Sequence, residues 1–364
     1  MTARKLNIGI LFGGKSAEHE ISLQSAKNIL EALDKEKYNP ILIAIDKTGR
    51  WITHSDANLL LSKPSELRNL VDNSSQDVAL VPQSNGKLSN LNQSEQFPIL
   101  DVVFPILHGP FGEDGTVQGL LKLANIPFVG ASVLGSAVGM DKDVMKRLLR
   151  DAGIPIGNYI CVYAEDEFPT FEWIQKELGL PCFIKPANLG SSVGISKVNT
   201  EEEYLSGLKM AFQFDTKVLI EEFIKAREIE CGVLGNHNPI ASIPGEIIAQ
   251  HNFYSYEAKY LDDKGALIEI PANLSEEMIL KVQKLAIKTF QVLCCEGLGR
   301  VDVFLTEDNR LLVNEINTLP GFTKISMYPK MWEYSGIPYS LLIDKLIDLA
   351  IDRFQKEQKL KTSF

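Results

Sequence analysis

The sequence predicts an α/β protein of several domains, with an open parallel unit first and hairpin-rich units after it. Three observations predict this. Residues 6–12 (LNIGILF) form an apolar strand-like run that Gly13-Gly14 breaks before a helix-opening stretch, the order that starts a βαβ unit. Residues 101–107 (DVVFPIL) repeat the pattern, ending in the glycine-rich loop HGPFGEDG ahead of a helical stretch at 116–124. Residues 299–317 then read as a β-hairpin, with β-rich runs at 301–305 and 311–316 around the polar turn Glu-Asp-Asn-Arg at 307–310.

Size and composition agree. A chain of 364 residues, 45% hydrophobic and 23% charged, is long enough for two or three domains with a sizeable core. Lys and Arg number 37 against 47 Asp and Glu, a net charge of −10, which argues against a general nucleic-acid or anionic-membrane binder. Cys161, Cys182, Cys231, Cys294 and Cys295 include no C-x-x-C pair and no zinc spacing, so they read as reduced thiols of a cytoplasmic protein. The N-terminus runs straight into a strand without a signal-like apolar region, and no run of 18 apolar residues occurs.

In chain order, the helix opened by SAEHEIS carries Ala26, Ile29, Leu30 and Leu33 on one face. Glu18 falls in its first turn, where the helix dipole favours a surface acid. The stretch is neither G-x-G-x-x-G nor a Walker A, so it specifies no phosphate by itself. Residues 40–45 are a second strand. Residues 47–98 turn polar and irregular and read as a peripheral insertion carrying a little structure of its own. The loop after 101–107 sits where α/β sheets bind ligands, which makes His108 a candidate donor. A short strand is expected at 126–130, a domain boundary near 130–140, and a helix entered through 136–142 and running to about Ala152.

Residues 180–186 read as a strand ending in Lys185, followed by the loop ANLGSSVG and a strand at 195–198. Free backbone N–H groups and hydroxyls on such a flap suit phosphates, with Lys185 as a point charge. Residues 200–212 are helical behind a capping box at TEEE. The strand 218–224 carries Glu221 and Glu222, which with Glu228 suit a purine amine and ribose hydroxyls; residues 227–234 are the next strand. Residues 245–268 read as a long loop bearing FYSYEAKY, too aromatic for an idle surface loop and so a candidate lid. Residues 275–293 form an amphipathic helix with Val282, Leu285, Ala286, Thr289, Val292 and Leu293 inward. A last helix at 339–354 turns Ile343, Leu346, Ile347, Ala350 and Phe354 inward.

The hairpin carries the chemistry. Alternation puts Glu315 and Asn317 on one face, and the hairpin brings Asp302 onto it. Two carboxylates and an amide oxygen make a hard, oxygen-only set suited to Mg²⁺ bridging nucleotide phosphates. Asp302 interrupts an otherwise apolar strand, and a buried charge needs a counter-ion. Arg300, at the mouth, suits a phosphate or a developing oxyanion.

Taken together, the motifs GGKSAEHEIS, LHGPFGEDG, MDK, FIKPANLGSSVGISKV, YSYEAKY, GLGRVDVFL and NEINTLPGFTKIS resemble the D-alanine–D-alanine ligase family of the ATP-grasp superfamily, over essentially the whole chain. The resemblance implies a three-domain ATP-grasp fold: an N-terminal open parallel α/β domain (1–139) and two α+β domains (140–230 and 231–364) clasping ATP. It implies ATP and two Mg²⁺ (or Mn²⁺) ions, D-alanine as substrate, and a homodimer that binds neither nucleic acid nor membrane. Asp302, Glu315 and Asn317 match metal ligands. Lys142, Lys185 and the lid's Lys259 match phosphate-binding lysines; Ser192, Glu221, Glu222, Phe223, Ile224, Glu228 and Asn314 match the remaining ATP-binding positions. Arg300 and Gly321 match the pocket for the reacting phosphate and oxyanion. Glu18 matches the acid that holds the first substrate's ammonium, with Ser191 and Tyr260 as its hydrogen-bonded partners. His108, Ser326 and Met327 match the substrate site. The implied reaction makes D-alanyl-D-alanine through a D-alanyl phosphate for peptidoglycan precursors. A D-alanine–D-lactate ligase stands beside it, although the position of Tyr260 commonly differs in such relatives. A non-catalytic nucleotide-binding regulator stands further off, because Glu18, Arg300 and the metal ligands are all present.

Overall fold

The computed structural model describes residues 4–53, 76–91, 97–191, 193–249 and 266–361, and its strands gather into three sheets. The first holds β1 (Leu6–Gly13), β2 (Tyr38–Ile45), β3 (Trp51–Thr53), β4 (Gln76–Leu80), β5 (Leu88–Asn90) and β6 (Val102–Ile106), in the order β5-β4-β3-β2-β1-β6. Helix α1 (His19–Ala32) is the crossover that lets β1 and β2 run parallel, and β6 is parallel to β1 on its other side. The expected open parallel sheet is therefore parallel over three strands only, because β2, β3, β4 and β5 pair antiparallel. These three extra strands come from the stretch expected to be a peripheral insertion. Its described residues extend the sheet instead, with Val78, Leu80 and Leu88 buried in one core with Leu11 and Ile43. The spacing of two between Val78 and Leu80 was there to be read, but Ser, Asn and Gln around them obscured it.

Helices α2 (Thr116–Leu123), α3 (Val133–Met140) and α4 (Lys142–Asp151) follow. Residues 126–130 are not a strand but a single bridge between Val103 and Phe128. Pro127 has no N–H to extend a ladder, and Gly130 turns away at φ 105°. Instead of one helix entered through 136–142, two helices meet at Asp141. Its backbone is extended and its carboxylate accepts from Val144 N at 3.0 Å, a cap worth about 1 kcal/mol.

The second sheet joins β7 (Tyr159–Tyr163), β8 (Cys182–Pro186), β9 (Ser196–Val198) and β10 (Lys217–Glu222) in the antiparallel order β7-β10-β8-β9, under α5 (Phe171–Leu178) and α6 (Glu201–Ala211). The capping box forms in a shifted version: Thr200 Oγ1 accepts from Glu203 N, and the Glu203 carboxylate reaches back to Asn199 N. Strand β10 ends at Glu222, two residues short of the expected 224.

The third sheet is built from β11 (Ala226–Gly235), β12 (Ile240–Ala241), β13 (Gly245–Ala249), β14 (Ala266–Glu269), β15 (Gly297–Thr306) and β16 (Leu311–Asn317), ordered β14-β13-β11-β15-β16 with β12 also on β11. Both ends of the expected 245–268 loop are thus hairpin arms: Ile247 pairs Ile268 and Ile248 pairs Leu267. These β-branched and aliphatic residues favour a pleated surface. Helix α7 (Glu276–Val292) backs this sheet with Val282, Ala286 and Phe290 buried, and α8 (Met327–Tyr334) and α9 (Tyr339–Glu357) close the chain.

Helix α9 packs on the first sheet, so the end of the chain completes the core of its beginning: Ile8, Phe104, Phe322, Trp332, Ile343 and Leu346 share one cluster. Phe354, expected inward, is only half-buried, and Arg353 takes the buried position. Its guanidinium donates to Gly130 O at 2.6 Å and Phe128 O at 2.8 Å, carbonyls that the absent strand leaves open. Phe322 is fully buried, its ring edge-on to Phe104 at 5.9 Å. Phe322→Ala is expected to destabilise the protein by about 3–5 kcal/mol, measured by urea unfolding, because the cavity opens where three segments meet.

Candidate active site

The β15–β16 hairpin sets the floor of the site. Asp302 pairs directly with Glu315, and Arg300 with Asn317, so all four side chains share one face. The register shifts between Asp302 and Val303, which leaves Asn314 as the extra residue of a bulge. The expected carboxylate–carboxylate–amide face is therefore assembled. The Asn317 amide oxygen accepts from Leu319 N at 3.1 Å, which fixes its orientation.

Arg300 is enclosed rather than at the mouth, its side chain only 19% exposed. Its Nε and Nη2 hold the Asp302 carboxylate in a two-point pair, each at 2.7 Å, and Nε lies 3.0 Å from Glu230 Oε2. Glu230 faces Asp302 across β11 and β15. Burial would lower the guanidinium's pKa, but Asp302, Glu230 and Glu315 more than offset it and hold it well above its ordinary value. Sequence reasoning passed over Glu230, although it stands two residues after Glu228 on the same strand face.

Above this floor, the Lys142 ammonium at the start of α4 donates to Leu189 O at 2.8 Å and lies 3.4 Å from Glu315. Lys185 lies 2.7 Å from Glu221, whose other oxygen lies 3.3 Å from Lys146, a lysine the sequence reading did not single out. Glu222 accepts from Asn158 N at 2.6 Å and Nδ2 at 3.2 Å. Phe223 is exposed, with Lys197 over its ring at 5.2 Å, and Ile224 packs against Gly157, where an added Cβ would sit 2.7 Å from it. Glu228 is exposed and lines the cavity.

The opposite wall comes from the first sheet's loops. Glu18 is not a surface acid in a helical turn. It sits just before α1, is 9% exposed, and its carboxylate accepts a hydrogen bond from Ser191 Oγ. Gly109 lies close beneath, where a Cβ would approach the Glu18 carboxylate to 3.1 Å. His108 is buried; burial lowers its pKa against the opposing pull of Glu18 and a hydrogen bond with the Leu319 backbone, so it is neutral at pH 7. Gly321 faces Ser326 so closely that a Cβ would stand 2.9 Å from its Oγ, which in turn accepts from Thr323 N at 3.0 Å. Met327 starts α8 and is buried. One cavity of ≈ 540 Å³ opens onto Glu18, His108, Lys142, Ser191, Glu228, Arg300, Asp302, Asn314, Glu315, Asn317, Gly321, Ser326 and Met327, whereas Lys185, Glu221, Glu222, Phe223 and Ile224 are not part of its lining. Ser192, Lys259 and Tyr260 lie outside the described residues.

Glu113, in the glycine-rich loop beside His108, was also missed. It accepts from Gly109 N at 2.6 Å, and its carboxyl is pushed up to about 8 by burial and by the Glu18 carboxylate, with the Gly109 hydrogen bond opposing. An acid raised in the folded state costs stability as pH rises from its unfolded value of 4.5 to about 8, because only the unfolded chain then gives up the proton. Glu113→Gln is expected to flatten the fall in melting temperature across that window. Calorimetry of both proteins at pH 5, 6.5 and 8 checks it.

The donor set fits a hard divalent cation in part. Among the described residues no group of three His, Cys, Asp or Glu could hold a metal, so Asp302, Glu315 and Asn317 would need phosphate and water oxygens to complete a shell. All five thiols are free, and burial pushes Cys161 and Cys182 up to about 11, far from a reactive thiolate. No described helix is long and apolar enough to cross a membrane.

Two family models match the chain, in successive stretches. The family model for the D-ala D-ala ligase N-terminus matches residues 7–131, and that for the D-ala D-ala ligase C-terminus matches residues 148–348. The D-alanine--D-alanine ligase of Oceanobacillus iheyensis is 53% identical over 361 residues, 99% of each chain. The solved D-alanine-D-alanine ligase from Coxiella burnetii superimposes with a TM-score of 0.88 at 43% identity, covering 98% of this chain and 97% of that one. The VanG D-Ala:D-Ser ligase from Enterococcus faecalis has a TM-score of 0.84 at 34% identity, covering 95% of this chain and 100% of that one.

Proposed function

This chain belongs to the D-alanine–D-alanine ligase family, and on that premise we propose that it joins two D-alanines at the expense of ATP, yielding D-alanyl-D-alanine, ADP and phosphate. The observation that carries this reading is the meeting, in one cavity, of the Glu18–Ser191 pair with the Arg300, Asp302 and Glu315 floor. An acid at one wall suits an amino acid's ammonium; a guanidinium and carboxylates at the other suit phosphates and the cations that accompany them.

A carboxylate is a poor electrophile at neutral pH. In the proposed reaction its oxygen attacks the γ-phosphorus of ATP, ADP leaves, and a D-alanyl phosphate remains. Glu18 holds the first alanine's ammonium, and Ser191 fixes that carboxylate by its hydrogen bond. Lys142 and Lys185 take phosphate oxygens, exchanging their present contacts with Leu189 O, Glu315 and Glu221. Asp302, Glu315 and Asn317 are the residues that would hold Mg²⁺, which supplies charge neutralisation to the phosphates. Glu228, Phe223 and Ile224 are assigned to ribose and base.

The second alanine's carboxylate is assigned to Ser326 and the start of α8 at Met327, a helix N-terminus without a side-chain cap, which favours an anion. Its free amine attacks the acyl carbon, and the tetrahedral oxyanion lies towards Arg300 and the Gly321 N–H. Collapse expels phosphate, which carries away the proton that the attacking nitrogen gives up. His108, neutral and buried, is a donor to substrate oxygen without adding charge. An acyl phosphate is hydrolysed by water, so the reaction needs water excluded from the site.

Phosphate release from ATP, measured with D-alanine, L-alanine and D-alanine plus D-lactate, tests this reading. D-alanine alone should support release, with D-alanyl-D-alanine found by mass. Release without D-alanine, or an ester as the main product, would overturn it.

A further inference from the structure

Lys146 has no role in the mechanism above, yet it is among the most enclosed charges in the protein. It stands on α4 one turn after Lys142 and is 2% exposed. Its ammonium lies 3.3 Å from one Glu221 oxygen and 5.6 Å from the centroid of the Tyr159 ring. Lys185 holds the other Glu221 oxygen at 2.7 Å. The strands force this arrangement. Lys185 pairs with Leu219, so it is the diagonal neighbour of Glu221 on the same sheet face, and Tyr159 pairs with Glu221 from the other side. Among the described residues, the two buried ammoniums share the Glu221 carboxylate as their one ion-pair partner, an arrangement that an arriving phosphate completes.

Lys185 cannot serve Glu221 and a nucleotide phosphate equally. When it turns to the phosphate, Glu221, 9% exposed, would be a buried carboxylate facing nothing, were it not for Lys146. Such a group takes up a proton and then presents a donor as well as an acceptor. Lys146 is held on a helix, its ammonium over the Tyr159 ring and beside Glu221.

We propose that Lys146 is a positioning residue for nucleotide choice: it keeps Glu221 ionised and in place once Lys185 has moved to the phosphates, so that Glu221 accepts from a purine's exocyclic amine. This rests on the nucleotide site described under Proposed function. Burial lowers the lysine's own pKa, while Lys146 and Lys185 outweigh burial at Glu221 and hold it below the usual carboxylate range, in keeping with a carboxylate that stays charged.

Steady-state kinetics with ATP and with ITP, which carries a carbonyl in place of the amine, test it in full-length wild-type, Lys146→Met and Lys146→Arg proteins. Lys146→Met should raise KM for ATP about tenfold, change kcat less than about threefold, and cut the ATP-to-ITP ratio of kcat/KM about tenfold. Lys146→Arg should restore that ratio to within about threefold, and KM for D-alanine should not move. A ratio unchanged in Lys146→Met, or equal losses with both nucleotides, would overturn the proposal. If the methionine variant does not fold, by its melting curve, Lys146→Gln carries the same comparison. Adding it to Glu221→Gln should then cost no further selectivity; an additive loss would also overturn the proposal. Wild-type protein without D-alanine-dependent phosphate release would contradict the functional reading itself, whereas an active wild type beside an unchanged ratio contradicts only Lys146.

Discussion

Glu315→Gln is expected to lower turnover roughly a thousandfold, about 4 kcal/mol of transition-state stabilisation, with little change in melting temperature. Glu315 lies opposite Asp302 and 3.4 Å from Lys142, with its side chain 32% exposed. Glutamine keeps the size and can still reach water, so the fold has little to lose. What it lacks is the charge that a divalent cation and its phosphates require, and an amide is a weaker oxygen donor than a carboxylate. Turnover measured over a Mg²⁺ titration separates the two effects: a higher Mg²⁺ requirement and a lower plateau are both expected. Near-normal phosphate release with an unchanged Mg²⁺ dependence would remove Glu315 from the metal set.

Arg300→Met should lose both turnover and stability. The guanidinium holds Asp302 at two points and touches Glu230, and both carboxylates are largely enclosed. Removing it leaves like charges facing each other across β11 and β15, a change that costs about 3–5 kcal/mol when a buried pair is broken. Turnover should fall by a further factor of about a hundred to a thousand for the lost oxyanion partner. Arg300→Lys divides these effects. A point charge still neutralises the two acids and should recover most of the melting temperature, but it lacks the planar fork and should not recover kcat. Recovery of both by lysine would mean that Arg300 serves only as a counter-ion.

What could be read from sequence followed the range of the interactions. Asp302 and Glu315 belong to one local hairpin, and an acid in an apolar strand is visible wherever the hairpin is visible. Glu18 was different. Its partner Ser191 is 173 residues away, so periodicity around residue 18 could only make it a dipole-favoured surface acid. The resemblance to a known family, not local pattern, pointed to its role. Lys146, Glu230 and Glu113 were missed for a related reason: each is defined by a carboxylate or lysine on another element, and each reads alone as an ordinary solvated charge. At the level of fold, β4, β5 and β13 were lost in polar or aromatic surroundings: β4 carries the alternation of a half-buried strand at Val78 and Leu80, whereas β5 and β13 are short runs without it. Arg353 shows the reverse. A charge at an inward helix position looks like an error of phase until the open carbonyls of Phe128 and Gly130 are seen opposite it.

The activation step admits a direct measurement. If a D-alanine carboxylate oxygen attacks phosphorus, that oxygen must leave with the phosphate when the amine displaces it. D-alanine labelled with heavy oxygen in its carboxylate, incubated with unlabelled ATP and Mg²⁺, should give one labelled oxygen in each phosphate released and D-alanyl-D-alanine that has lost one from its amide carbonyl. Unlabelled phosphate beside a stoichiometric yield of dipeptide would contradict an acyl phosphate, and with it the roles assigned to the Arg300, Asp302 and Glu315 floor.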